Sequence, residues 1–140
     1  MFILSAIMKN VICIISLGSN TDAVSNLQKA RDLLVRAYPG ISFSPVKETV
    51  PVNMQNNQNP FLNQLAKFST DQEAEDVHAA LKVMERFCGR RPDDKELETI
   101  HIDIDLLAHG DTVVKPEDFA RYTEEIKMLQ ASSQASPQQP

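Results

Sequence analysis

The chain has 140 residues, 42% of them hydrophobic and 24% charged, with a net charge of −5. That length and balance suit one folded domain with its own core, and the acidic charge argues against bulk electrostatic binding to nucleic acid or an anionic membrane. A phosphate-bearing partner must therefore be held locally, by a metal ion or a few cations. The two cysteines, Cys13 and Cys88, fit neither a zinc-ligand pattern nor a disulfide framework, and read as buried free thiols in a reducing cytoplasm.

Residues 1–7 are apolar and residues 11–17 are apolar again, with Lys9 and Asn10 between them. Neither run approaches the roughly 20 residues of a spanning helix, and no positive segment precedes the first. Met8 reads as the physiological start, with 1–7 as an extension ahead of a single domain over 8–129. Residues 11–17 are continuous and β-branched, the signature of a buried central strand. Gly18-Ser19-Asn20 ends it, and Thr21 or Asp22 can cap a helix. Val24, Leu27, Ala30, Leu34 and Ala37 keep helical spacing from about Ala23 to Tyr38, where Pro39-Gly40 stops it. Residues 41–50 read as a second strand, with Pro45 marking an edge or a bulge. The Asn- and Gln-rich loop 51–60 is longer than a hairpin needs and is expected to cover something. Residues 61–68 form a third strand. Asp71 can cap the next helix, which places Ala74, Val77, Leu81, Met84 and Cys88 on one side and ends at Gly89. A charged loop follows over 90–96.

The stretch 99–108 alternates strictly, with isoleucine or leucine at 100, 102, 104 and 106. A strand of that period buries one face and presents His101, Asp103 and Asp105 on the other. Carboxylates two apart on a strand stand roughly 6–7 Å apart at Cα, close enough to converge on a hard cation. His101 reads as a strand-face residue. After a turn at 109–111, Pro116 opens a helix to about Leu129 with Phe119, Tyr122, Ile126 and Leu129 on its apolar side. Residues 130–140, all Ser, Gln, Ala and Pro, are expected to be disordered. The element order predicts an α+β, ferredoxin-like βαββαβ fold, an antiparallel sheet with helices packed on one face. The opposite face is then left to loops and a site.

Leu17-Gly18-Ser19-Asn20, Phe61-Leu62-Asn63, Glu85 with Gly89-Arg90, and Asp103-Ile104-Asp105-Leu106-Leu107 occur in that order. Together they resemble the 6-hydroxymethyl-7,8-dihydropterin pyrophosphokinases of folate biosynthesis over about residues 11–114. The resemblance implies Mg²⁺-dependent transfer of pyrophosphate from ATP to the pterin hydroxymethyl group, releasing AMP. It implies that Asp103 and Asp105 hold two Mg²⁺ ions and are catalytic together with Arg90. Asn63 would hydrogen-bond the pterin, Phe61 would stack on it, and Val50 and Asn53 would edge the ring. Glu85, Arg90 and Arg91 would lie on the nucleotide side. The implied partners are a reduced pterin and ATP, with no nucleic acid and no membrane, and the protein is expected to be a cytoplasmic monomer. The chain departs from the family pattern at Ile100, where an arginine is usual, and over 115–119, where the family continues Val-Pro-His. Two other readings are a non-catalytic relative that binds a pterin or nucleotide, and an unrelated ferredoxin-like domain with a metal-dependent or interaction role.

Overall fold

The computed structural model describes residues 10–51 and 54–135, with side chains through residue 131. The β-branched run of β1 (Val11–Ser19) lies at the middle of the sheet. It pairs antiparallel with β4 (Phe61–Thr70) on one side and with β5 (Asp103–His109) on the other. Two short strands, β2 (Ser42–Phe43) and β3 (Lys47–Thr49), both pair with β4, and β6 (Thr112–Val113) pairs with the end of β5. The order β2-β4-β1-β5-β6, with long connections through helices, is the expected ferredoxin-like arrangement.

Two helices, α1 (Ala23–Ala37) and α2 (Ala74–Phe87), cover one face, and a single turn, α3 (Asp94–Leu97), lies in the segment read as a charged loop. Every second residue of β1 points at them: Cys13, Ile15 and Leu17 are buried against Leu27, Leu34, Val77 and Leu81. Each fully buried Leu or Ile contributes about 1.5–3 kcal/mol, so this layer holds the fold together. Burial pushes the Cys13 thiol up to about 11, which keeps it neutral and inert at physiological pH.

The opposite face carries a layer that the sequence reading leaves to loops. The single helix expected over 116–129 is two helices, α4 (Pro116–Arg121) and α5 (Thr123–Ala135), broken at Tyr122. Ile126 and Leu129, with Phe119 and Tyr122, pack on Ile14, Leu65, Leu107 and Ala108. Leu107 and Ala108 both reach this cluster because a bulge between β1 and β5 shifts the alternation there. The layer covers only part of the face, and the ends of β1, β4 and β5 that carry Gly18, Asn63 and Asp103 stay open.

Several expected boundaries move. The disordered tail is corrected over 130–135, where α5 continues to Ala135. Leu129 is buried at 2% exposure, and its carbonyl accepts a 2.8 Å hydrogen bond from the buried Lys67 ammonium, so the helix is held down as it leaves the domain. Residues 1–7 and 136–140 lie outside the described residues. The strand expected over 41–50 is interrupted at Pro45, which has no N–H to donate, and Ser44 bridges the gap through its hydroxyl to the Leu65 N–H. The strand expected from residue 99 begins only at Asp103. The preceding segment is tied instead to the end of β1: Ile100 donates its N–H to the Asn20 Oδ1 at 2.7 Å, and its carbonyl accepts from the Asn20 N–H at 3.0 Å. Among the described residues, no helix is long and apolar enough to cross a membrane.

Candidate functional site

Strand register places the predicted residues together. Gly18 sits between Asn63 of β4 and Asp103 of β5, and Ser16 sits between Leu65 and Asp105. Cross-strand partners point to the same face, so the amide and the carboxylates share one floor. Gly18 opens that floor, since a Cβ there would stand 3.1 Å from the Asn63 Oδ1. Over it lies a pocket of about 580 Å³ lined by Val50, Phe61, Asn63, Asp103, Asp105 and Lys115, among others. That is the size of a small-molecule site. The Asn63 Nδ2 donates to the Thr49 Oγ1 at 2.7 Å, which fixes the amide while leaving its oxygen and one N–H for a ligand. Val50 stands exposed at the rim, and Asn53 lies outside the described residues.

The carboxylate end is built on a strand edge. Among the described residues, β6 pairs only with Ala108 and His109 of β5, so the backbone of β5 before that would present open hydrogen-bonding groups. Helix α2 covers them. The Ile104 N–H donates to the Glu85 Oε2 at 2.8 Å, and the Lys82 Nζ donates to the Ile104 carbonyl at 3.0 Å and to the Glu85 Oε2 at 2.7 Å. The same lysine reaches the Asp105 Oδ1 at 3.4 Å. Arg90, just past the helix, donates to the Ile102 carbonyl at 3.0 Å and lies 3.4 Å from the Asp103 Oδ1. Lys115 completes the ring, 3.2 Å from the Asp105 Oδ1. One oxygen each from Glu85, Asp103 and Asp105 lie within 4.8 Å of one another. An all-oxygen, carboxylate-rich set of this kind fits a hard divalent cation such as Mg²⁺.

The pair is electrostatically split. Burial, together with the Asp105 carboxylate beside it, pushes Asp103 up to about 7. Burial acts against Asp105 too, but the hydrogen bond with Asp103 and the ammonium groups of Lys82 and Lys115 hold it below the usual carboxylate range. The two groups therefore share one proton below neutrality. Asp103 binds that proton more tightly folded than unfolded. Its contribution to stability is complete below its ordinary value of 3.8 and is lost as pH rises through about 7. A cation entering the pair must displace the proton. Mn²⁺ affinity should rise by up to about tenfold per pH unit between pH 5 and 7 and level off above. Calorimetry in buffers of different ionisation enthalpy would read both the affinity and the released proton. A flat affinity from pH 5 to 7 would show that no shared proton is present.

The remaining predicted residues are placed differently. His101 does not share the face of the aspartates. It turns away to the wholly buried Asp94, whose oxygens lie 3.0 and 3.1 Å from its Nδ1. Burial works against the Asp94 charge, but the ring and backbone N–H of His101 hold it below the usual range. Arg91 is exposed and makes no ion pair among the described residues. Glu85, expected on the nucleotide side, is buried beside the aspartate pair.

Sequence reasoning missed Lys82, Lys115, Asp94 and Glu98. Lys82 precedes Glu85 by one helical turn, a spacing that would have flagged it. Nothing local marks Glu98. It adopts a left-handed conformation with φ 59°, and its carboxylate accepts the N–H groups of Gln55, Asn56 and Asn57 at 2.8–3.0 Å. Those bonds hold it below the usual carboxylate range. Through it, the loop at the rim of the pocket is joined to the turn that precedes β5.

No curated protein matches the chain. Among solved structures it is similar to Plasmodium falciparum HPPK-DHPS with pteroate, at 19% identity and a TM-score of 0.49, over 74% of this chain and 28% of that one. It therefore spans less than a third of that protein. A de novo designed protein with a ferredoxin fold is also similar, at 10% identity and a TM-score of 0.32, over 74% of this chain and 88% of the design. The model of one protein family matches residues 14–130, a span that holds most of the sheet and all of the pocket described above. On that match, the chain belongs to the family of 7,8-dihydro-6-hydroxymethylpterin-pyrophosphokinase (HPPK).

Proposed function

We propose that this chain transfers pyrophosphate from ATP to the hydroxymethyl group of 6-hydroxymethyl-7,8-dihydropterin. The hydroxyl oxygen bonds to the β-phosphorus, the bond from that phosphorus to the α,β-bridging oxygen breaks, and AMP leaves with the bridging oxygen. The observation that carries this reading is that one pocket is lined both by Asn63 and by the Asp103–Asp105 pair. The amide and the pair stand two strand spacings apart, roughly 10 Å. A pterin whose ring meets the amide can thus extend its hydroxymethyl arm toward the carboxylates. Phe61 offers the ring an apolar face, and Asn63 pairs with its polar edge through one donor and one acceptor. Asp103 and Asp105 would hold two Mg²⁺ ions, which supply neutralising charge for the phosphate oxygens. Arg90 is fixed by the Ile102 carbonyl and lies 3.4 Å from the Asp103 Oδ1, from where it would meet phosphate oxygens. The loop held by Glu98 lies beside the rim, where it would close over bound ligand and exclude water from the transfer. Such a reaction belongs in the cytoplasm, where ATP is made and thiols stay reduced.

One observation favours a second reading, a relative that binds a pterin or nucleotide without transferring anything. Ile100 is 7% exposed and directed into the core, so position 100 lends no charge to the pocket. An assay with ATP, Mg²⁺ and the reduced pterin separates the two. AMP release that requires the pterin is the expected result. No AMP with pterin still bound would establish the second reading, and binding of neither ligand would overturn both.

A further inference from the structure

We infer that Lys115 is a phosphate-binding residue of this pocket, freed to act when a divalent cation takes its carboxylate partner. The inference rests on the pyrophosphokinase reading and deepens it. Five cations border the pocket or its carboxylates, and each has a carboxylate partner. Lys82 is spent on the Ile104 carbonyl and Glu85. Arg90 is fixed by the Ile102 carbonyl and lies 3.4 Å from Asp103, the other carboxylate of the pair. Lys47 pairs with Glu125, and Arg121 pairs with Asp118 one turn back along its own helix. Among the described residues Lys47, Arg121 and Lys115 each have one side-chain partner, and of the three only Lys115 has a partner in the aspartate pair, the Asp105 Oδ1.

The backbone of Lys115 is fixed, and its head is held by the Asp105 Oδ1 at 3.2 Å. Its N–H and that of Val114 both donate to the Leu107 carbonyl, at 3.2 and 2.8 Å, and its own carbonyl accepts from Phe119 at 2.9 Å. Pro116 then opens α4 in the first helical position, which sets the direction of the chain. The Cα is thereby anchored beside β5, two residues beyond Asp105. The side chain is 45% exposed and points along the pocket wall. A divalent cation on Asp105 competes for the same oxygen and repels the ammonium. Four flexible methylenes let the ammonium swing a few ångströms and turn three donors to the nearest anion. In this pocket that anion is a phosphate brought in with the metal.

The test uses the whole chain, a non-hydrolysable ATP analogue at saturating Mg²⁺, the reduced pterin, and Mn²⁺ alone, each measured by calorimetry. Lys115→Met should weaken the nucleotide analogue by about 10–30-fold, the loss expected for one charge-assisted contact. Pterin affinity should not change, and Lys115→Arg should stay within about threefold of the parent. Mn²⁺ alone should bind the methionine variant several-fold more tightly, because its competitor for Asp105 has gone. An unchanged nucleotide affinity beside tighter Mn²⁺ would reduce Lys115 to a counter-charge and overturn the inference, with the pyrophosphokinase reading intact. If the parent chain binds no nucleotide at all, both fall together.

Discussion

Asp105→Ala should abolish pterin-dependent AMP formation, lowering it by on the order of 10³-fold or more. Metal-borne charge stabilisation is worth several kcal/mol in phosphoryl transfer, and each 1.36 kcal/mol is a factor of ten. Asp105 is the oxygen on which the site converges: Lys82 and Lys115 both reach its Oδ1, and Asp103 shares a proton with it. Removing it leaves two ammonium groups facing a single aspartate. Asp103→Ala should be comparably severe, but for a different reason. It takes away the half of the pair that must lose a proton for a cation to enter. The measurement is AMP release at saturating ATP and pterin, with Mn²⁺ binding and thermal unfolding run alongside. Both variants should unfold near the parent temperature, because neither aspartate belongs to the two apolar clusters. Full activity in either variant would remove the pair from the mechanism.

Glu85→Ala should cost stability rather than chemistry first, by about 3 kcal/mol. The Glu85 side chain is 7% exposed and bonds both the Ile104 N–H and the Lys82 ammonium. Its loss strands a buried backbone donor and weakens the anchoring of a half-buried cation, which together fall at the low end of the 3–5 kcal/mol seen when a buried pair is broken. Glu85→Gln keeps an acceptor for Ile104 and should recover about half of that loss. Urea unfolding measures both variants. A change below about 1 kcal/mol for the alanine variant would mean that water replaces Glu85 at the strand edge. The loss should also reach the site, since Glu85 and Lys82 hold the part of β5 that carries both aspartates.

This arrangement gives one helix two tasks. The inner side of α2 supplies Val77, Leu81 and Met84 to the core, while Lys82 and Glu85 close an unpaired strand edge and set the electrostatics of the carboxylates. Lys82 and Glu85 are one helical turn apart, so a single helix placement fixes both contacts. A sheet edge left open would invite pairing with another chain. Here the polar groups that prevent this are also the ones that tune the site.

Much of this was legible in the chain itself. The β-branched run at 11–17 read as a buried strand, and the alternation around Asp103 and Asp105 put both carboxylates on one face, because strand periodicity is a local property. The order of elements was enough for the ferredoxin-like sheet, since un-knotted connections with right-handed crossovers leave few topologies. The motifs Gly18, Asn63, Asp103 and Asp105 pointed to the family that the match over 14–130 shows. What the sequence could not disclose depends on contacts between distant residues. His101 fits the alternation yet leaves it, because the buried Asp94 needs a donor and outbids the strand. The strand at 41–50 breaks where Pro45 has no N–H, and α5 runs past Leu129, whose carbonyl accepts a bond from Lys67 more than sixty residues earlier. Lys115 lies near Asp105 only because two backbone bonds to Leu107 turn the chain back. Periodicity specifies which face a residue takes within its own element. Which charges meet across elements is decided only once the sheet, the edge helix and the covering layer have packed.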